Sequence, residues 1–104
     1  MPLVELAITD RVATLTLNNP AERNTLTDEM VGEILAAMDE VEGDPGVGAI
    51  VVTGAPPAFC AGARLDNLLD ATEEGLGRIY EGFMRIARSE LPTIAAVNGA
   101  AVGA

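Results

Sequence analysis

The sequence has no histidine, no lysine and no tryptophan, a single cysteine, and only three aromatic residues among 104. Without histidine there is no Ser-His-Asp or Cys-His nucleophile system and no His-ligated zinc. A lone Cys60 excludes both an internal disulfide and a CxxC metal site. Cations are also scarce: six Arg stand among sixteen Asp and Glu, a formal charge of −10. Each phosphate contact needs a cation, so nucleic acid and anionic membrane surfaces are not expected as partners, which leaves small molecules and other proteins. The N-terminus, MPLVELAITD, lacks a basic stretch followed by an apolar one, so it does not read as a secretory signal and a cytoplasmic location is the default. No stretch reads as the roughly 18–20 apolar residues of a membrane span. Leu91 to Ala104 is uncharged but carries Pro92 and Asn98, which fits a buried strand and loop better.

About half of the residues are apolar, enough for one small domain with a core of Ala, Val, Leu and Ile. A chain this short buries only roughly 60–65% of its unfolded surface, which leaves a narrow stability margin. Leu3 to Asp10 alternates apolar and polar residues, and a second run, Val12 to Leu17, follows Arg11. This predicts a β-hairpin turning at Asp10-Arg11. The segment NNPAERNT breaks the pattern with Asn18, Asn19 and Pro20. Thr25 or Thr27 then caps a helix whose first turn carries Asp28 and Glu29, the sign of charge that a helix N-terminus favours. Met30, Ile34, Leu35, Met38 and Val41 recur at helical spacing, and Gly43-Asp44-Pro45 ends the helix.

Ala49 to Thr53 is a short apolar run between Gly48 and Gly54, the pattern of a strand covered on both faces. GAPPAFCAGARLDNLL leads from it towards a helical start. A second amphipathic helix is expected from about Thr72 to Ser89, with Leu76, Ile79, Tyr80, Phe83 and Ile86 as its stripe and Glu74/Arg78 and Glu81/Arg85 as favourable i,i+4 pairs. Pro92 introduces Thr93 to Val97, a second buried strand, followed by NGAAVGA. The order β-β-α-β-α-β implies an α/β fold with an at least partly parallel sheet. The final residues are apolar or small where a solvated, polar terminus is usual, so the chain is expected to be the N-terminal part of a longer protein.

Three segments coincide in order and spacing with one family. The turn NNPAERNTLT after a hairpin, the strand and loop AIVVTGAPPAFCAGARLDNL, and the strand and turn PTIAAVNGAAVGA resemble the crotonase family, the enoyl-CoA hydratase/isomerase superfamily. The resemblance covers essentially the whole chain, but only the first part of such a protein. It implies the crotonase-like ββα spiral, with residues 1–104 as the N-terminal part of an acyl-CoA-binding domain. It also implies acyl-CoA thioester substrates, no cofactor beyond the CoA of the substrate, and trimers or hexamers of the complete protein.

Such enzymes stabilise an enolate-like thioester oxygen with two backbone N–H groups, and small residues let the backbone approach the substrate closely. Matched residue by residue, the first donor is Ala63 in Phe59-Cys60-Ala61-Gly62-Ala63. The second falls in Gly99 to Ala104, on Ala104 with Gly103 before it. Taken singly, each loop of small residues is explained by tight strand-to-helix packing. Two of them, each after a strand, point to a ligand site at the carboxyl ends of parallel strands.

The resemblance places CoA and substrate contacts at Glu22, Arg23, Thr25, Ala61, Ala63, Arg64, Leu65, Gly99, Val102 and Gly103. Arg64 departs from the family pattern, in which many members carry Asp; it is either a solvated charge or a partner for a CoA phosphate. Cys60 lies beside the site with nothing to lower its pKa, so an inert packed thiol is expected. None of the sixteen acids matches a catalytic position of the family. Enoyl-CoA hydration of the fatty-acid-oxidation type is the expected activity, with the catalytic carboxylates beyond Ala104 and the 104 residues alone inactive. Isomerase and hydrolase reactions, or a non-catalytic assembly role, are the alternatives.

Overall fold

A computed structural model describes residues 2–63 and 72–103. The expected hairpin forms from β1 (Val4–Thr9) and β2 (Val12–Leu17), antiparallel from Val4 opposite Leu17 to Thr9 opposite Val12. Asp10 and Arg11 both have positive φ, 52° and 68°, as a two-residue turn must if its twist is to match that of the strands. Alternation in β2 places Ala13, Leu15 and Leu17 at zero exposure.

Of the two candidate caps, Thr27 is the one used: its hydroxyl accepts from Met30 N–H at 3.2 Å and opens α1 (Asp28–Glu42). Met30, Val31, Ile34, Ala37, Met38 and Val41 are its buried residues, while Leu35 is only half-buried. The Glu33 carboxylate accepts from the N–H groups of Leu3 and Val4 at 2.8 and 3.1 Å, so α1 also fixes the start of β1. The second helix, α2 (Glu73–Ala87), is capped by Thr72 and crosses α1 closely at Gly82, where an added Cβ would lie 3.2 Å from Ile34 Cδ1.

Strand β3 (Ala49–Gly54) lies parallel to β2, and β5 (Thr93–Ala95) parallel to β3, in a four-stranded sheet of order β1-β2-β3-β5. A second sheet pairs β4 (Ala58–Cys60) with β6 (Ala100–Ala101), again in parallel. Each turn of the chain therefore lays its two strands beside the two strands of the turn before: β5 on β3, then β6 on β4. That repeat is the ββα spiral, and it brings the loop after β4 against the loop after β6.

Three expectations need correction. Ala49–Gly54 is not sealed on both faces: Ile50 and Val52 enter the core with Leu15, Ile34, Ile79 and Ile86, while Val51 and Thr53 are half-buried. Strand β5 is shorter than expected and exposed along its length: Ile94 is 58% exposed and Val97, just beyond it, 57%, because among the described elements only β3 lies extensively against it. Neither expected i,i+4 pair of α2 forms: no ion pair joins the described residues Glu74 and Arg78, and Glu81 and Arg85 take other partners. The Arg85 guanidinium instead reaches Asp39 at 2.8 Å and Glu42 at 3.0 Å on α1, two carboxylates in place of one, and Glu81 pairs with Arg88.

Candidate functional site

Three segments meet at the carboxyl ends of β3 and β4. The first is the turn after the hairpin, where Pro20–Glu22 forms a single 3-10 turn and Arg23 and Asn24 follow with φ of 55° and 57°. This left-handed conformation is common for asparagine and uncommon for arginine. The turn runs alongside the second segment, residues 58–63: Ala61 N–H donates to the Arg23 carbonyl at 3.0 Å, and Leu26 N–H donates to the Gly62 carbonyl at 2.8 Å. The third, the loop after β5, joins them where Val102 N–H donates to the Cys60 carbonyl at 3.0 Å.

The orientation of the Ala63 amide follows from one of these bonds. The Gly62 carbonyl points at Leu26, and in a planar trans peptide the N–H lies opposite the C=O, so the Ala63 N–H points away from Leu26. Among the described residues no backbone group accepts from it. Gly62 and Gly103 have φ of 92° and 77°, and their backbones touch: a Cβ on Gly62 would lie 2.7 Å from the Val102 carbonyl oxygen, and one on Gly103 3.4 Å from Gly62 Cα. Gly99 is closer still, with Pro57 O 2.3 Å from where its Cβ would be. Glycine at these positions is what allows the two loops to lie backbone against backbone. A small cavity of about 70 Å³ sits beneath them, lined by Phe59, Cys60, Phe83, Ala101, Val102 and Gly103.

Two asparagines that the sequence reading did not assign to the site hold these segments in place, Asn24 between the first turn and residues 55–59 and Asn98 between the third loop and β3. Asn24, with zero exposure, donates through its side-chain nitrogen to the carbonyls of Ala55, Ala58 and Phe59 at 3.1, 2.9 and 3.2 Å, and its Oδ1 accepts from Asn19 N–H at 2.7 Å. Asn98 donates to the Gly54 carbonyl at 2.7 Å and accepts from the Gly54 N–H at 3.2 Å. The only local signal for either was membership of a turn-forming segment.

Of the expected site residues, Glu22, Arg23 and Thr25 lie together on the first turn, Ala61 and Ala63 on the loop after β4, and Gly99, Val102 and Gly103 on the loop around β6. Arg23 is exposed and Thr25 half-buried. Arg64, Leu65 and Ala104, and the helical start expected after Ala63, lie outside the described residues. Burial pushes the Cys60 thiol above its ordinary pKa, against a weaker downward effect of its backbone hydrogen bond with Gly62, as expected for a packed, unreactive cysteine. Among the described residues no group of acids and cysteine is arranged to hold a metal, and no helix is long and apolar enough to cross a membrane.

The enoyl-CoA hydratase/isomerase family model matches residues 7–104. The chain belongs to the enoyl-CoA hydratase/isomerase family. It is 53% identical over 105 residues to a probable enoyl-CoA hydratase of Mycobacterium tuberculosis, covering 97% of this chain and 41% of that protein. It is 40% identical over 101 residues to a 1,2-epoxyphenylacetyl-CoA isomerase of Escherichia coli, covering 89% of this chain and 38% of the relative. The crystal structure of an enoyl-CoA hydratase/isomerase from Xanthobacter autotrophicus superposes with a TM-score of 0.83 at 38% identity, over 93% of this chain and 39% of that one. The chain thus spans about two fifths of the length of the relatives it matches, and its spiral is a part of the crotonase fold.

Proposed function

We propose that the protein is a cytoplasmic enoyl-CoA hydratase of the fatty-acid-oxidation type, which acts on acyl-CoA thioesters and needs no cofactor beyond the CoA of its substrate. The observation that carries this is the Gly62–Ala63 peptide, whose N–H is turned away from Leu26 on a loop packed against a second glycine-rich loop. In hydration, water adds its oxygen to C3 of the enoyl group and a proton is delivered to C2. Between these events negative charge rests on the thioester oxygen. Two fixed N–H donors, Ala63 and one from Gly103–Ala104, stabilise that charge without reorganising during the reaction. The loops 58–63 and 96–103 contain no acidic residue, so we assign the carboxylates that position water and exchange protons to chain beyond Ala104. Residues 1–104 are then the N-terminal part of the acyl-CoA-binding domain, inactive alone, and the complete protein assembles as trimers or dimers of trimers.

The CoA portion is assigned to Glu22, Arg23 and Thr25 on the turn and to Ala61, Ala63, Arg64 and Leu65 beyond it, with Gly99, Val102 and Gly103 closing the thioester end. The hydrogen bond from Ala61 to the Arg23 carbonyl supports one continuous surface across both segments. If the exposed guanidinium of Arg23 meets a CoA phosphate, CoA affinity falls with added salt, and Arg23→Gln flattens that dependence. Identical salt slopes for wild type and Arg23→Gln would remove Arg23 from the site.

Membership of a family that joins enoyl-CoA hydratases with isomerases keeps double-bond isomerisation as the second reading. Incubation of the full-length protein with crotonyl-CoA, and separately with a 3-enoyl-CoA, separates the two. Loss of the enoyl absorbance with formation of 3-hydroxybutyryl-CoA is the expected result. Conversion of a 3-enoyl-CoA to its 2-enoyl isomer, without hydration, would establish the second reading instead. Acyl-CoA binding without either reaction would point to a non-catalytic relative.

A further inference from the structure

We infer that Asn24 and Asn98 are positioning residues that set the separation of the two donor loops: Asn98 ties the loop after β5 to Gly54, at the carboxyl end of β3, and Asn24, packed against the same glycine, ties residues 55–59 to the turn after the hairpin. The inference rests on the oxyanion reading above and goes beyond it by naming what holds the donors apart.

The ladder between β3 and β5 ends at the bond from Ala96 N–H to the Val52 carbonyl, 2.8 Å long. Beyond it the main chain leaves the sheet, and the Asn98 carboxamide takes over: it accepts from the Gly54 N–H and donates to the Gly54 carbonyl, so one side chain satisfies the two groups that a continued parallel strand would satisfy from two successive peptides. Thr53 Oγ1 donates to the Ala96 carbonyl at 2.9 Å on the same edge. Gly99 can therefore turn away onto Pro57 while the loop stays at a fixed distance from the strand end.

Asn24 works from the other side of the same glycine. Its Nδ2 would lie 2.9 Å from a Cβ on Gly54, and its two protons are shared among three carbonyls of residues 55–59. Those carbonyls belong to the segment that ends in the Gly62–Ala63 peptide. A fully buried carboxamide with every polar atom bonded has one low-energy placement, because any other strands a polar group away from water. A buried anchor on one side of Gly54 and a two-bond anchor on Gly54 itself make the distance between the loops a property of the fold, and pre-set donors require that of their support.

The test uses the full-length protein with Asn98→Ala and Asn24→Ala, and Asn18→Ala as a control, since Asn18 bonds Glu5 and Pro2 outside the site. For Asn98→Ala, kcat on crotonyl-CoA should fall by up to about 10²-fold, the penalty of roughly an ångström of misplacement. The Kd for free CoA should hold. The infrared band of the thioester carbonyl in bound butyryl-CoA, which hydrogen bonding shifts, should move back towards its position in solution. A band that stays put in Asn98→Ala, or a kcat loss that only follows the fraction of folded protein, would overturn the inference and leave the oxyanion reading standing. A wild-type band already at its solution position would remove both. Asn98 is exposed, so its variant decides the matter even where Asn24→Ala does not fold.

Discussion

Replacing Ala63 with proline in the full-length protein is expected to lower kcat by about 10²–10³, equivalent to roughly 2.7–4 kcal/mol of transition-state stabilisation. Proline removes the one N–H that the Gly62–Ala63 peptide presents away from Leu26, and it leaves the Gly62 carbonyl that holds Leu26 in place. The lost bond acts on charge that develops during reaction, so affinity for the CoA portion should change far less than kcat. Ala63→Ser keeps the N–H and adds one oxygen atom at a half-buried position; its loss of activity should be small. The comparison separates a lost donor from local crowding. A folded Ala63→Pro enzyme with kcat within about threefold of wild type, only roughly 0.7 kcal/mol, would show that this amide is not a donor.

Gly54→Ala is expected to destabilise the protein by about 2–4 kcal/mol, from overpacking together with displaced hydrogen-bond partners. Gly54 does not owe its identity to a left-handed backbone. It is a matter of space: a Cβ there would lie 2.5 Å from the Phe59 carbonyl oxygen, 2.6 Å from that of Ala58 and 2.9 Å from Asn24 Nδ2. Those carbonyls are two of the three that Asn24 holds, so the methyl group cannot be accommodated by rotating a flexible side chain. Gly32→Ala, in the exposed middle of α1 with nothing within 4 Å of the new Cβ, should have the opposite sign. Relief of glycine's backbone entropy there stabilises by about 0.5–1 kcal/mol. Urea unfolding midpoints of the two variants, at unchanged m-values, measure both. A Gly54→Ala protein as stable as wild type would mean that the end of β3 does not pack against Ala58 and Phe59.

The family could be named from short segments because close backbone approach needs small residues at set places. Phe59 to Ala63 and Gly99 to Gly103 retain that requirement as letters in the sequence. What those letters do not contain is a partner. Gly99 looks like any turn glycine until Pro57 is found against it, and Gly54 looks like the punctuation of a strand until Ala58 and Phe59 are found folded back over it. Strands β4 and β6, of three and two residues, are too short to show an alternation. They pair because β3 and β5, already in register, deliver them side by side.

By itself the sequence determined what depends on neighbours within a turn or two of chain. The Asp10-Arg11 hairpin, the α1 stripe from Met30 to Val41, the start of α2 at Thr72 and the run Ala49–Thr53 all follow from periodicity and capping, which act over a few residues. Tertiary structure alone decided the contacts between segments far apart in the chain. The bonds from Asn24 to residues 55–59 span 31 to 35 positions, those between Asn98 and Gly54 span 44, and Arg85 passes over Glu81 for carboxylates 43 and 46 positions away. No local pattern encodes such pairs, because asparagine in a turn and arginine on a helix satisfy local rules equally well with water as their partner. For Asn24 the folded spiral withdraws the water and makes protein partners necessary, whereas Asn98 and Arg85 stay in reach of water and meet their partners because the fold brings those groups within bonding distance.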